Sequence, residues 1–147
     1  MPQAASFATG IKGEGLSETL KREIDDNRMN GVVGTQLISE TDEVRVWHLR
    51  LPSGLRCAFH RHVLSYFWTC HSYGSTRILF EDGTTQDMSH SPGDTRQMTI
   101  LPGEYMLHAV ANTGPTELLF TTVEYKKSGN APLPLEKGCA LRLYSRA

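Results

Sequence analysis

From Gly34 onward, apolar and polar residues alternate in short runs separated by turn formers. Val44, Val46 and His48 fall on one side of an extended chain, and Arg45, Trp47 and Leu49 on the other. That period of two is the signature of a β-strand. Further strands are predicted over 55–62, 65–71, 76–80, 95–101, 105–111 and 117–125, with an edge strand over 140–144. Pro52-Ser53-Gly54, Ser72-Tyr73-Gly74-Ser75, Pro92-Gly93-Asp94, Pro102-Gly103 and Asn112-Thr113-Gly114-Pro115 break the chain between them. Glu81-Asp82-Gly83 is a hairpin signal, because Asp-Gly tolerates positive φ. There is one helical signal: Ser17 caps a run of helix formers, Glu18, Lys21, Arg22 and Glu23, that ends near Asp26-Asn27. About eight short strands at regular spacing predict an all-β sandwich or barrel.

Length changes the picture only by limiting it. A chain of 147 residues suits one domain with one core. Residues 1–16, rich in Gly, Ser and Ala, read as a flexible leader, and 17–147 as a single domain. A formal net charge of -1 gives no footprint for nucleic acid or an anionic membrane. No apolar run approaches the ~18 residues of a membrane-spanning helix, and the N-terminus has no secretory pattern. Cys57, Cys70 and Cys139 are odd in number and lack CxxC spacing, which fits three buried thiols in a reducing cytoplasm. No GxSxG, P-loop or dinucleotide fingerprint is present.

The chemistry concentrates in His60-Arg61-His62. Residues two apart on a strand point to one face, so both imidazoles can approach one ion. Neutral imidazole is a ligand for zinc, iron, nickel and copper. His108, at the end of a later apolar strand, is the natural third. Spacing alone is equally met by two half-exposed strand histidines; the surrounding residues decide between these readings.

Those residues resemble the two motifs of the cupin superfamily. GLRCAFHRHVLSYFWTCHSYG, from Gly54 to Gly74, carries the glycine, HxH and glycine of the first. GDTRQMTILPGEYMLHAVAN, from Gly93 to Asn112, carries the glycine, Pro-Gly and HxxxN of the second. The resemblance implies a double-stranded β-helix, or jelly-roll barrel, with its core over about residues 42–126. Two departures stand out. The acidic metal ligand of the first motif is missing, with Tyr66 or Phe67 in its place. The second motif is stretched between Gly93 and His108. A site of three histidines and one glutamate is therefore replaced by three histidines alone. This resembles the iron-binding cupins cysteine dioxygenase and acetylacetone dioxygenase. The implied cofactor is a divalent transition metal, iron foremost, with zinc, nickel or manganese as alternatives. Three neutral ligands leave the ion its full charge, which favours an anionic or chelating substrate.

Around this centre, Tyr66, Trp68 and Cys70 share a strand face, and Tyr66 is the candidate proton donor that replaces the glutamate. Arg56 alternates onto the face of Ala58, His60 and His62, where it would meet a substrate carboxylate. Gln97, with Thr95 and Thr99, would point inward to orient a ligand. Trp68, Met106 and Phe120 are candidate cavity walls, and Met98 a core residue. His71 faces away from Tyr66, while His48 and His90 read as surface or ordinary structural histidines. The expected function is a metal-dependent enzyme, dioxygenase-, isomerase- or decarboxylase-like, acting on a small oxygenated or anionic metabolite. The alternative is a non-catalytic cupin that binds a small molecule. Small cupins commonly pair, so a homodimer is expected, with the terminal segments free to exchange.

Overall fold

The computed structural model of the protein describes residues 16–146. The expected flexible leader lies outside the described residues except for its last residue, Leu16. Helix α1 (Glu18–Asp26) starts where Ser17 Oγ accepts a hydrogen bond from the Leu20 amide at 3.1 Å. It buries Ile24 against Phe59 and Leu107. All other regular structure is antiparallel β. The strands are β1 (Gln36–Glu40), β2 (Val44–Leu51), β3 (Leu55–Cys57), β4 (His60–His62), β5 (Tyr66–Cys70), β6 (Gly74–Phe80), β7 (Thr85–His90), β8 (Thr95–Met98), β9 (Met106–Asn112), β10 (Leu118–Tyr125) and β11 (Leu143–Ser145).

They form two sheets, in the orders β1-β2-β10-β5-β8 and β11-β3-β9-β6-β7, with β4 also pairing β9. The inner faces meet as a jelly-roll barrel. At one end Leu49, Leu51, Leu118 and Phe120 of the first sheet close on Cys57 of the second. The alternation anticipated at Arg45, Trp47 and Leu49 is present: all three face inward and are buried. Two motif residues now have mechanical roles. Gly54 turns the chain at φ 80°, a conformation that disfavours a Cβ. The Asn112 side-chain amide donates to the carbonyls of Leu51 and Thr116, while its oxygen accepts from Gly114. Asn112 thus staples the turn after β9 to the end of β2.

One expectation is corrected with consequences for the site. The single strand over 55–62 is two strands, interrupted at Ala58 and Phe59. Here the chain bonds outside the strand ladder. The Ala58 amide donates to Arg142 O, and the Phe59 amide to a carboxylate oxygen of Glu23 on α1. The Phe59 carbonyl accepts from Asn30 Nδ2, and the Arg61 amide donates to Asn30 O at 2.6 Å. The break changes the parity of the alternation, so Cys57, His60 and His62 are all buried inward while Arg56 is turned out.

Strands β1 and β7 are absent from the sequence expectation. Both are edge strands; β1 is largely exposed, and the inward face of β7 carries only one apolar residue, Met88, so QLISE and TQDMSH offer no apolar alternation to read. The strand expected over 95–101 ends at Met98, and the one expected over 140–144 is Leu143–Ser145, paired with β3 of its own chain. The three cysteines are unpaired. Burial pushes the Cys57 thiol up to about 12. Among the described residues no helix is long and apolar enough to cross a membrane.

Candidate metal centre

The β4–β9 ladder places His60 directly opposite His108, and His62 opposite Met106. Because His60 and His62 are two apart on β4, all three imidazoles reach the same space. Their ring centroids lie 5.0 Å apart for His60–His62, 4.7 Å for His60–His108 and 5.0 Å for His62–His108. One nitrogen from each lies within 4.8 Å of the others. The rings are 2, 3 and 7% exposed.

Electrostatics keep these rings neutral. Burial drives the His60 imidazole down to about 4, despite an opposing hydrogen bond with the Ala58 carbonyl. Burial also holds His62 and His108 well below the usual range; neighbouring histidines add to the effect, His108 and His60 for His62, and His60 for His108. Since a carbonyl only accepts, the 2.8 Å contact to Ala58 O makes His60 Nδ1 the donor and leaves Nε2 with its lone pair. His62 Nδ1 and His108 Nδ1 are buried without a partner among the described residues. Three neutral imidazoles, converging without an acid to pair with them, have the donor set of a transition-metal site.

Tyr66 stands where the first motif has its acid. Its ring stacks on His62 with centroids 4.0 Å apart and planes 13° from parallel. Its hydroxyl contacts Met106 Sδ at 3.8 Å. Burial, then the Glu124 carboxylate, push the phenol up, so it is held protonated. The histidines open onto a cavity of about 70 Å³ whose walls include Trp68, Phe120, Leu49, Ile78 and Val110. Met106, expected as a cavity wall, does not line this cavity; it lies behind Tyr66 in a cluster with Phe80, Met98 and Ile100.

Two further expected site residues are elsewhere. Arg56 does not share the face of His60, because the break at 58–59 reverses its parity. It forms an ion pair with Glu23 at 2.6 Å and lies over the Tyr144 ring at 4.7 Å. Gln97 does not point inward with Thr95; both are exposed, and it is Met98 that turns in. His71 does face away from Tyr66, bonding Thr121 Oγ1 at 2.7 Å on the outer surface.

The sequence reading missed two groups. His90 is not a surface residue: it is buried, lines the cavity and bonds Thr76 Oγ1 through Nε2 at 2.8 Å. Recognising β7 as a strand would have turned it inward. Glu124 is 2% exposed and accepts from Trp47 Nε1 at 2.8 Å. Burial pushes its carboxyl up to about 7, against the opposing effects of Trp47 and Arg45. Strict alternation along β10, from Phe120 through Thr122, would have flagged it.

No protein-family model matches the chain, and no curated protein sequence does. Solved structures do. A cupin domain from Bordetella pertussis Tohama I is similar over 66% of this chain and 95% of its own, with 23% identity and a TM-score of 0.56. A conserved protein with a double-stranded β-helix domain from Klebsiella pneumoniae is similar over 92% of this chain and 100% of its own, with 20% identity and a TM-score of 0.50. An RmlC-like cupin with a double-stranded β-helix fold from Methanocaldococcus jannaschii covers 67% of this chain and 79% of its own, at 18% identity and a TM-score of 0.50. Two facing antiparallel sheets, HxH and HxxxN histidines on paired strands, and these likenesses converge on one fold: the chain has the double-stranded β-helix of the cupin structures it resembles.

Proposed function

We propose that the protein is a metal-dependent enzyme that holds a divalent transition metal, iron foremost, through His60, His62 and His108. One observation carries the reading: three buried, neutral imidazoles converge within 4.8 Å beside an apolar cavity. When bound, the ion supplies Lewis-acid or redox chemistry to a small oxygenated or anionic metabolite. The chain's own residues supply the setting. Ala58 fixes the His60 tautomer, as a second hydrogen bond does for many metal-bound histidines. Trp68 and Phe120 exclude water and shape the space. Tyr66 is a neutral donor whose hydroxyl is engaged only by a thioether, a weak acceptor. That makes it free to turn to a ligand oxygen, as a hydrogen-bond donor or general acid. Its stacking on His62 orients that ring.

Metal analysis of untagged protein tests this. Near-stoichiometric iron, nickel, manganese or zinc is expected, and loss of bound metal in His60→Ala and His62→Ala. Metal retained in both variants would overturn the assignment. We further propose a homodimer. Since the tail strand is occupied within its own barrel, pairing would use an open sheet edge, β1, β7, β8 or β11, rather than strand exchange through the tail. A monomer by light scattering at micromolar concentration would contradict it.

A further inference from the structure

The cavity has a second polar feature besides the histidine cluster. Thr76 on β6 and His90 at the end of β7 are 2 and 5% exposed and line the same cavity. The Trp68 and Phe120 rings hold the His90 imidazole edge-on, at 5.5 and 5.2 Å between centroids. The neutral pair owns two polar protons, one on the hydroxyl and one on the imidazole, and makes one hydrogen bond, Thr76 Oγ1 to His90 Nε2. His90 Nδ1 has no partner among the described residues. If Nε2 carries the imidazole proton and donates it, the hydroxyl proton is left over. If Nε2 accepts instead, the proton on Nδ1 is left over. Either way one buried proton lacks an acceptor, at a cost a ligand can remove.

We propose that Thr76 and His90 form a second ligand anchor, which donates one hydrogen bond to a neutral acceptor oxygen of the molecule bound in the cavity. The charge of the walls narrows the ligand class. Among the described residues, no Lys, Arg, Asp or Glu lines the cavity. A second charged group on the ligand would be buried without a partner, so it is excluded. The ligand is a small, largely apolar molecule with one oxygen-donor head for the histidine cluster. Its other end carries a carbonyl, ether or hydroxyl oxygen. The ligand's metal-facing head rests on the proposed metal centre; the Thr76–His90 anchor does not.

A matched pair of probes tests the anchor on metal-free protein. Cyclopentanone carries the acceptor, and cyclopentane is its apolar counterpart. Their affinities, and the side-chain ¹⁵N resonances of His90, are followed by NMR. Cyclopentanone is expected to bind about 5-fold more tightly than cyclopentane, the scale of one net hydrogen bond, and to shift the His90 resonances. Thr76→Val removes the hydroxyl and His90→Phe the imidazole; the double variant should abolish the preference, while Thr76→Ser should keep it. Equal affinity of the two probes in the unmodified protein, or an unchanged preference in the double variant, would overturn the anchor. Metal content measured on the same preparations reports on the metal centre separately, so failure of one does not mimic failure of the other.

Discussion

Two of the polar clusters that the barrel buries are built on opposite principles. Around Glu124 the polar groups are paired: Trp47 Nε1 donates to its carboxylate, Arg45 meets Glu40 at 2.8 Å, and Lys126 meets Glu40 at 3.0 Å. Around His60 the polar groups converge on one another with no counter-charge, and two of the three rings leave Nδ1 unbonded. A satisfied buried network rigidifies a fold; an unsatisfied one costs stability and persists where something else completes it. The comparison separates the part of this interior that supports the barrel from the part that meets a ligand.

The largest effect should come from the histidines. His62→Ala is expected to abolish stoichiometric metal binding while changing the stability of metal-free protein by less than about 2 kcal/mol, because no satisfied bond is lost. Denaturant unfolding with metal analysis checks both. A severe loss of stability would place His62 with the structural cluster instead. For Tyr66→Phe, unchanged metal content is expected, with turnover reduced roughly 10²-fold once a substrate is found. Turnover equal to wild type would reduce Tyr66 to packing.

Glu23 joins the two kinds of cluster. It is fully engaged, with Arg56 and the Phe59 amide, yet what it fixes is the segment that carries His60. Burial would raise its carboxyl, but Arg56 and Phe59 outweigh this and hold it low. Glu23→Ala should cost about 1.5–3 kcal/mol by stranding those donors. It should also weaken metal binding roughly 10-fold through the displaced backbone. An unchanged metal affinity would show that β4 holds its geometry without α1.

The smallest effect tests the satisfied side. The Glu124 carboxyl is raised from 4.5 to about 7 on folding. Between those values the folded protein holds a proton that the unfolded chain has released. Its contribution is therefore present below pH 4.5 and lost as pH rises through 7. Glu124→Gln keeps an acceptor for Trp47 and removes this dependence. It should be more stable than the parent at pH 8 by on the order of 1 kcal/mol, with the gap closing toward pH 5. A gap that widens toward acid would mean that Glu124 is held ionised by Arg45.

How far the sequence reaches follows the same division. Central strands were legible because one face is buried: β2 and β10 show the alternation almost without exception. His60, His62 and His108 were legible because period two and the motif order both point inward. Strands β1 and β7 were not, since β1 is largely exposed and the inward face of β7 carries only Met88 as an apolar residue, and with β7 went His90. Arg56 failed for a different reason. Alternation assumes an uninterrupted strand, and the interruption at Ala58–Phe59 is imposed by Glu23, Asn30 and Arg142, all distant in sequence. No local pattern contains that information. Gln97 failed because Met98, its neighbour, has the stronger claim on the apolar interior.

The convergence of three histidines on one ion is tested most directly by crystals of untagged protein, with anomalous diffraction collected across the absorption edge of the metal found by elemental analysis. A single peak within about 2.0–2.3 Å of one nitrogen from each of His60, His62 and His108 is the predicted result. A metal-replete crystal with no peak there, or with its peak at another set of side chains, would contradict it.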